Sequence, residues 1–317
     1  LCPRRSGCRG LMGTLPFITA DDVPPPDWVA IADAMEAGHR GPKAEIGDQF
    51  LHRGDDTLLS RAAWIDGLGV GVKTVTVMPG NATAGRATVQ GAMLVFDDQT
   101  GAPRAVIDNA LITRWKTAGD SVLGARLLAR PDARTLLIVG AGTVADSLIE
   151  AYRATFPQLE SVKIWNRTRA RAEALAATHS DVRVADDLAQ AVAQADIVSC
   201  CTMSKSPVVE GDWLRPGTHL DLIGAFTADM READDAALRR AAIFVDSRET
   251  TLHHIGELMI PLQSGVIVEG DVLGDFADII AGRAGRGSPD DITLFKNGGG
   301  AHLDLMTAQV ILAASGF

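Results

Sequence analysis

The feature that most constrains this chain is an apolar segment that runs directly into a glycine-rich turn. Thr135 to Val139 is predicted as a buried strand, and Thr143 to Thr155 as the helix that follows it. Gly140-Ala141-Gly142-Thr143-Val144-Ala145 joins them with G-x-G-x-x-A spacing. The first glycine permits the tight turn, the second lets backbone approach a pyrophosphate, and the alanine allows close helix packing. Because a helix N-terminus also offers free N–H groups to phosphate, the segment predicts a dinucleotide-binding unit.

The residues after the next strand bear on which dinucleotide is bound. Ser161 to Trp165 is predicted as that strand, and Asn166-Arg167-Thr168 follows it. Enzymes that use NAD usually place an acidic residue here for the ribose 2′-hydroxyl. Asn166 stands in its place, and Arg167 can bind a 2′-phosphate through two parallel hydrogen bonds. Thr168 can donate a hydroxyl and cap the next helix. The sequence favours NADP(H); the alternative is that Arg167 only begins a solvated helix.

The alternation of strands and helices continues from Thr135 to about Asp246. This pattern is typical of an α/β protein with a Rossmann doubly wound parallel sheet. The further predicted helices are Thr168 to Thr178 and Leu188 to Gln194, and the further strands are Val182 to Val184, Asp196 to Cys201, His219 to Ile223 and Ile243 to Asp246.

The chain on either side of this unit has a different pattern, in which strands mix with turns and some helix. We therefore predict a disordered leader at residues 1–13, a Rossmann domain at 128–294, and an α+β domain built from 14–127 and 295–317. The elements predicted outside the Rossmann domain are strands at Gly69 to Val77 and Val89 to Phe96, a hairpin into Pro103 to Ile107, a helix from Lys116 to Leu128, and a final apolar helix after a Gly-rich turn.

Composition limits the possible partners. The net charge of −10 provides no basic field to attract nucleic acid or an anionic membrane, so neither is expected. An anionic substrate would need a locally positive pocket. Adjacent Cys200 and Cys201 on a strand point to opposite faces, which suits neither a disulfide nor a shared metal and fits a reducing cytoplasm. His253 and Glu257 have the spacing of a zinc pair, but no third ligand is indicated, so no metal is expected.

Several motifs, in this order, resemble the ornithine cyclodeaminase/μ-crystallin family over almost all of the chain after Pro16. The resemblance implies a homodimer formed through the α+β domain, which would also form the wall of the substrate pocket. The matching segments are Gly71-Val72-Lys73, Pro79-Gly80-Asn81, Thr88-Val89-Gln90-Gly91, Ile112 to Ala118, the Gly140 loop, Ile223-Gly224-Ala225, and Thr293 to Ala301 with Asp304.

The resemblance also implies roles for individual residues. Lys73 matches the family lysine that pairs with the substrate carboxylate, and Lys116 stands where a second carboxylate-binding arginine is usual. Lys43 is a weaker match to another such arginine. Asp304 matches a recurrent acid, expected to orient its neighbours rather than transfer a proton. Lys73, Lys116 and Asp304 form the expected catalytic set, although each lysine could instead be a surface cation.

The remaining expected contacts also follow from the resemblance and from the two motifs above. Phe226 and Gly298 are expected to contact the substrate together with the three lysines. The expected cofactor contacts are Thr88, Thr117, Gly140, Ala141, Gly142, Thr143, Val144, Asn166, Arg167, Thr168, Cys201, Thr202, Gly224 and Asn297.

Two departures from the family pattern bear on the reaction. Phe226 stands where ornithine cyclodeaminases have a proton-transferring aspartate, and its apolar ring is expected to shield the lysines from water. Ser60 stands where they have an acid for the distal amine. The ketimine reductase-like branch is therefore favoured: NADPH-dependent reduction of 1-pyrroline-2-carboxylate or 1-piperideine-2-carboxylate to the L-imino acid. The alternatives are alanine-dehydrogenase-like reductive amination, ornithine cyclodeamination, and an NADPH-binding protein with little catalysis.

Overall fold

The computed structural model describes residues 15–316, so the leader predicted at 1–13 lies outside the described residues. Within this range the strands form a six-stranded and an eight-stranded sheet, each accompanied by helices. The chain is therefore an α/β protein of two domains, as the strand and helix pattern predicts.

The six-stranded sheet has the strand order β1-β6-β5-β4-β3-β2. The short β1 pairs in parallel with β6, and the other neighbours are antiparallel. The strands are β1 (Phe17–Ile18), β2 (Glu45–Arg53), β3 (Asp56–Ile65), β4 (Gly69–Val77), β5 (Val89–Phe96) and β6 (Pro103–Asp108), and the helices of this region are α1 (Trp28–Arg40) and α2 (Asn109–Leu128).

The eight-stranded sheet is parallel throughout, with the strand order β13-β12-β14-β11-β10-β7-β8-β9. Its strands are β7 (Thr135–Val139), β8 (Ser161–Trp165), β9 (Val182–Val184), β10 (Ile197–Cys200), β11 (His219–Leu222), β12 (Ala241–Val245), β13 (Val272–Gly274) and β14 (Ile292–Lys296). The helices are α3 (Thr143–Thr155), α4 (Arg169–Ala176), α5 (Leu188–Gln194), α6 (Asp235–Arg240), α7 (Arg248–Thr251), α8 (Gly256–Gln263), α9 (Phe276–Ile280) and α10 (Ala301–Ser315).

Helix α2 lies between the two sheets and is buried on most sides. It contacts β5 and β6 of the first sheet and β11 and β14 of the second. Small residues make this possible: a Cβ on Gly119 would lie 2.5 Å from Ile31 of α1, and one on Gly124 would lie 2.6 Å from Phe295 of β14. Polar groups on α2 can therefore reach the cleft between the domains.

The C-terminal helix α10 returns to the first sheet and packs on β3 and β4. Gly71 of β4 faces it, since a Cβ there would lie 3.2 Å from Leu305. Because side chains alternate along a strand, Lys73 faces α10 as well, whereas Val72 and Thr74 face away. This alternation decides which side chains of the first sheet can enter the cleft.

Most predicted elements have the expected bounds, including the strands Gly69–Val77 and Thr135–Val139 and the helix Thr143–Thr155. Helix α2 begins at Asn109 rather than at Lys116, because Asp108 Oδ2 accepts hydrogen bonds from the N–H groups of Ala110 and Leu111. Strand β14 runs to Lys296, two residues past the domain boundary expected at 294. The β2–β3 hairpin was missed because β2 is polar and mostly exposed.

In the part of the chain that the structure describes, no helix combines the length and the apolar character that crossing a bilayer requires.

Candidate active site

The glycine-rich turn after β7 leaves a backbone cradle open to solvent. Gly140 has φ 127°, and a Cβ there would lie 2.8 Å from Cys201 Sγ, so no larger residue fits. Gly142 is the N-cap of α3, without a capping side chain, and a Cβ on it would meet nothing within 4 Å. The N–H groups at the start of α3 are thus accessible, as binding of a dinucleotide pyrophosphate requires.

Most of the expected cofactor residues come directly after parallel strands and so lie along one edge of the sheet. Gly140 follows β7, Cys201 follows β10, and Gly224 closely follows β11. Neighbouring hydrogen bonds hold these strand ends together: Cys201 N–H donates to Val139 O (2.9 Å) and Asn297 N–H donates to Leu222 O (3.1 Å). The strand order reverses at β7, between β8 and β10, which is where doubly wound sheets open a ligand crevice.

At the end of β8, the side chains expected to select the dinucleotide are on the surface. Arg167 is exposed and forms no ion pair with any of residues 15–316, whereas Arg169 pairs with Glu173 (2.7 Å). Arg167 is therefore available to an external phosphate. Thr168 is the N-cap of α4, but its hydroxyl accepts no capping bond, so that part of the expectation is wrong. Its carbonyl instead accepts a hydrogen bond from Asn166 Nδ2 (2.9 Å).

On the opposite side of the cleft, the structure brings Lys73 and Asp304 together. Lys73 Nζ of β4 lies 2.7 Å from Asp304 Oδ1 of α10, and both side chains are buried. Burial lowers the pKa of Lys73, and the charge of Asp304 opposes that shift. Asp304 Oδ2 is buried with no hydrogen-bond partner among the described residues. A single oxygen of Asp304 thus orients the ammonium group.

Lys116 of α2 completes the group of cations. It is buried, and its Nζ lies beside Gly299: a Cβ on that residue, which has φ 72°, would be 2.4 Å from the nitrogen. Within residues 15–316, Lys116 forms no ion pair or hydrogen bond. Its charge therefore remains available to an anion in the cleft.

Arg61 is a further cation here that the sequence reasoning missed. On β3 it lies directly opposite Lys73 of β4, so both side chains are on the same face of the sheet. Its Nη2 lies 2.6 Å from Asp48 Oδ2. The missed signal is alternation: a residue directly opposite Lys73 must share its face. Lys73, Lys116 and Arg61 thus bring three cations to this region; Asp304 pairs with Lys73 and Asp48 with Arg61, which leaves Lys116 without an ion pair among the described residues.

Ser60 shows the same alternation in reverse. Its hydroxyl lies 3.0 Å from Thr74 Oγ1 on the outer face of the sheet, away from Lys73. The expectation that Ser60 occupies the place of a distal-amine acid is therefore wrong, because adjacent residues of a strand point to opposite sides.

The glycine loop after β14 is held by Asp246, which sequence reasoning also missed. Asp246 Oδ2 accepts hydrogen bonds from the N–H groups of Gly298 (2.9 Å) and Gly299. Its Oδ1 accepts from Thr251 Oγ1 (2.9 Å). The acid thereby fixes the backbone beside Lys116. Asp246 directly follows β12, a strand-end position at which polar residues often serve a site.

Asn297 is oriented by a buried chain of polar groups beneath the sheet edge. Its Nδ2 lies 3.4 Å from Ser121 Oγ of α2. Asp221 of β11 accepts hydrogen bonds from Ser199 (2.6 Å) and Tyr152 (3.0 Å), and burial raises its pKa. These contacts tie the expected nicotinamide-side residue to both domains.

Other expected residues lie at the margins of the cleft. Lys43 is exposed and lines a cavity of about 250 Å³ together with Asp246, Ser247 and His302. Thr88, just before β5, and Thr117, on α2, are half-buried. Phe226 is 57% exposed. In the single chain its ring therefore does not shield the lysines from water, contrary to the expectation.

The possible zinc pair does not form. His253 lies 3.4 Å from Glu269, whereas Glu257 is buried and accepts hydrogen bonds from the N–H groups of Glu232 and Ala233. In residues 15–316, no cluster of three or more His, Cys, Asp or Glu side chains is placed to hold a metal.

Comparison with known proteins identifies similar chains. The sequence model of the Ornithine cyclodeaminase/mu-crystallin family matches residues 62–314. A Delta(1)-pyrroline-2-carboxylate reductase of Paracoccus denitrificans is 57% identical over 289 residues, which are 90% of this chain and 92% of that protein.

Two solved structures have the same architecture. The Delta(1)-pyrroline-2-carboxylate reductase of Thermococcus litoralis, in complex with NADH and L-proline, is 27% identical with a TM-score of 0.88, over 95% of this chain and 97% of that one. An archaeal alanine dehydrogenase dimer with bound NAD is 28% identical with a TM-score of 0.87, over 95% and 96%.

Proposed function

This chain belongs to the ornithine cyclodeaminase/mu-crystallin family, and on that premise we propose that it reduces a small cyclic imino acid with NADPH. The substrate is 1-pyrroline-2-carboxylate or 1-piperideine-2-carboxylate, and the product is the L-imino acid. The observation that carries the proposal is the buried Lys73–Asp304 pair beside the unpaired Lys116. The identity to a Delta(1)-pyrroline-2-carboxylate reductase supports the choice of reaction.

The residues of this chain act by binding and orientation. Lys73 and Lys116 bind the substrate carboxylate, and Asp304 keeps the Lys73 ammonium group in place. Bound NADPH supplies the hydride. Because hydride transfer needs near-contact geometry, fixing the carboxylate from two sides places the adjacent imine carbon and provides much of the rate. A cyclic imine needs no ammonia to be activated, so an aspartate at the position of Phe226 is dispensable.

The preference for NADPH rests on the end of β8. Asn166 carries no negative charge to repel a 2′-phosphate, and Arg167 is exposed with no ion pair among the described residues. The two solved relatives contain NADH or NAD, so the prediction concerns these residues of this chain. A charged, bidentate contact with the 2′-phosphate would outweigh the loss of a ribose hydroxyl contact.

We also propose a homodimer formed through the outer face of the first sheet. Leu51 and Trp64 on that face are each 55% exposed, and Val70, Val72 and Leu94 lie beside them. An apolar sheet face of this kind is typical of a protein interface. The free thiols of Cys200 and Cys201 suit a cytoplasmic location, which we propose as well.

The test is a screen of NADPH oxidation by absorbance with both cyclic imino acids. Pyruvate with ammonia tests the alanine-dehydrogenase alternative, and ornithine with NAD tests cyclodeamination through ammonia release. We expect turnover with a cyclic imino acid and none with ornithine. Ammonia release from ornithine by the unmodified protein would refute the assignment, and dinucleotide binding without turnover of any substrate would favour a binding protein.

A further inference from the structure

A fully buried carboxylate, Glu232, joins the two loops that end β10 and β11. Its Oε1 accepts hydrogen bonds from Thr202 N–H (2.7 Å) and Thr202 Oγ1 (2.9 Å). Its Oε2 accepts from Gly224 N–H (2.6 Å) and Ala225 N–H (3.2 Å). Glu232 lies further along the loop that follows β11, eight residues past Gly224, and four donors from the two loops converge on its side chain.

These loops are packed as closely as backbone allows. A Cβ on Gly224 would lie 1.9 Å from Thr202 O, so only glycine fits beside that carbonyl. Both residues are on the carboxyl edge of the parallel sheet, next to the Gly140 turn, where a dinucleotide is expected to bind. Without the carboxylate, Thr202, Gly224 and Ala225 would present unpaired N–H groups to one another.

A second buried acid supports the first. Glu257 Oε2 accepts a hydrogen bond from Glu232 N–H (2.6 Å), and its Oε1 accepts from Ala233 N–H (3.0 Å). Lys296, also fully buried, is the cation whose charge acts on both acids, and its Nζ donates to Leu222 O and Asn297 O. Glu232 therefore cannot shift without breaking contacts at its backbone and its side chain.

We propose that Glu232 is a positioning residue for the dinucleotide: through the backbone of Thr202, Gly224 and Ala225, it fixes the loops that would line the nicotinamide half of the crevice. The inference rests on the proposed function, because it presumes that these loops contact a dinucleotide. Glu232 acts through the loops and touches neither substrate nor cofactor. Its removal should weaken dinucleotide binding far more than it alters the imino acid contacts at Lys73 and Lys116.

The test is Glu232→Gln, which keeps the side-chain volume but turns one acceptor into a donor facing N–H groups. The measurement is the Kd of NADPH and of NADH by nicotinamide fluorescence, without substrate. We expect both Kd values to rise at least tenfold. With activity, the KM for NADPH should rise, while the KM for the imino acid at saturating NADPH changes less than threefold.

Asp196→Asn is the matched control. Asp196 Oδ2 also accepts hydrogen bonds from backbone, the N–H groups of Arg134 (2.9 Å) and Thr135 (3.0 Å), but at the amino edge of the same sheet. We expect Asp196→Asn to lower Tm about as much as Glu232→Gln does, but to leave the Kd of both dinucleotides unchanged. If Glu232→Gln does not fold, Glu257→Gln replaces it, with an expected rise in Kd of threefold or more.

The outcomes separate this inference from the proposed function. Kd values within twofold of wild type in Glu232→Gln, or in Glu257→Gln if it is the variant used, show a merely structural role and overturn the inference alone. Equal rises in Kd for Glu232→Gln and Asp196→Asn overturn it too. If the unmodified protein binds neither dinucleotide, the proposed function and this inference both fail.

Discussion

Replacing Lys73 with methionine tests the substrate site most directly. Methionine keeps most of the side-chain stem on the inner face of β4, but removes the ammonium group that lies 2.7 Å from Asp304. Asp304 is 0% exposed, and its second oxygen has no hydrogen-bond partner among the described residues. Removing one partner of a buried ion pair costs about 3–5 kcal/mol of folding stability, because the other charge is left buried and unpaired.

The expected effect on catalysis is separate from the effect on stability. Loss of one desolvated cation for the substrate carboxylate should lower kcat/KM by a factor of about 100, equivalent to about 2.7 kcal/mol, mostly through KM. The double variant Lys73→Met/Asp304→Asn removes both charges. It should recover much of the unfolding free energy in urea, but none of the lost kcat/KM.

Lys163→Met serves as the control, because Lys163 Nζ only hydrogen-bonds Gln194 on the surface of the other domain (3.0 Å). Both stability and kcat/KM should stay close to wild type. A substrate-binding role for Lys73 is refuted if Lys73→Met keeps kcat/KM within threefold of wild type. It is refuted equally if the double variant regains activity along with stability, since Lys73 would then matter only to folding.

Three further predictions address other parts of the molecule. Arg167→Ala should weaken NADPH binding about tenfold, or about 1.4 kcal/mol, and leave the Kd of NADH unchanged; an equal loss for both dinucleotides contradicts the 2′-phosphate contact. Burial and the neighbouring Glu232 raise the pKa of Glu257 from its usual 4.5 to about 7. The stability that the protonated Glu257 contributes is therefore full below pH 4.5 and is lost as the pH rises through 7. Between pH 4.5 and 7, the unfolding free energy of wild type should fall by about 3 kcal/mol relative to that of Glu257→Gln. A pH-independent difference would disprove this. Light scattering should show a wild-type dimer that Trp64→Lys dissociates and that Leu273→Lys, at a site 50% exposed on the other domain, does not; a monomeric wild type excludes the proposed interface.

The parts of the site that sequence predicts are those with a local pattern. Gly140 and Gly142 are recognisable because their spacing between a strand and a helix has one structural use. Cys201, Gly224 and Asn297 are expected only from the family resemblance, and the strand before Asn297 has no predicted counterpart. The structure places all three after parallel strands, whose carboxyl ends meet at one edge of the sheet.

The parts that sequence did not predict depend on contacts between distant segments. Glu232 lies 30 residues from Thr202, and nothing near either residue marks the hydrogen bond between them. Arg61 and Ser60 show a different limit. Their faces depend on the register of β3 with β4, which places Arg61 opposite Lys73 and Ser60 opposite Thr74. A shift of one residue would exchange the two, and position in the chain alone does not reveal which holds.

The protonation state of Asp120 bears on whether the positive charge of Lys116 is available to a substrate carboxylate. Asp120 follows Lys116 by one helical turn on α2, and as a carboxylate it would neutralise that lysine. It is fully buried, and neither oxygen has a hydrogen-bond partner among the described residues. Burial, reinforced by the charge of Asp246, raises the pKa of Asp120 well above its usual range and so favours the neutral acid. With Asp120 neutral and Asp304 committed to Lys73, the positive charge of Lys116 is left for the substrate carboxylate.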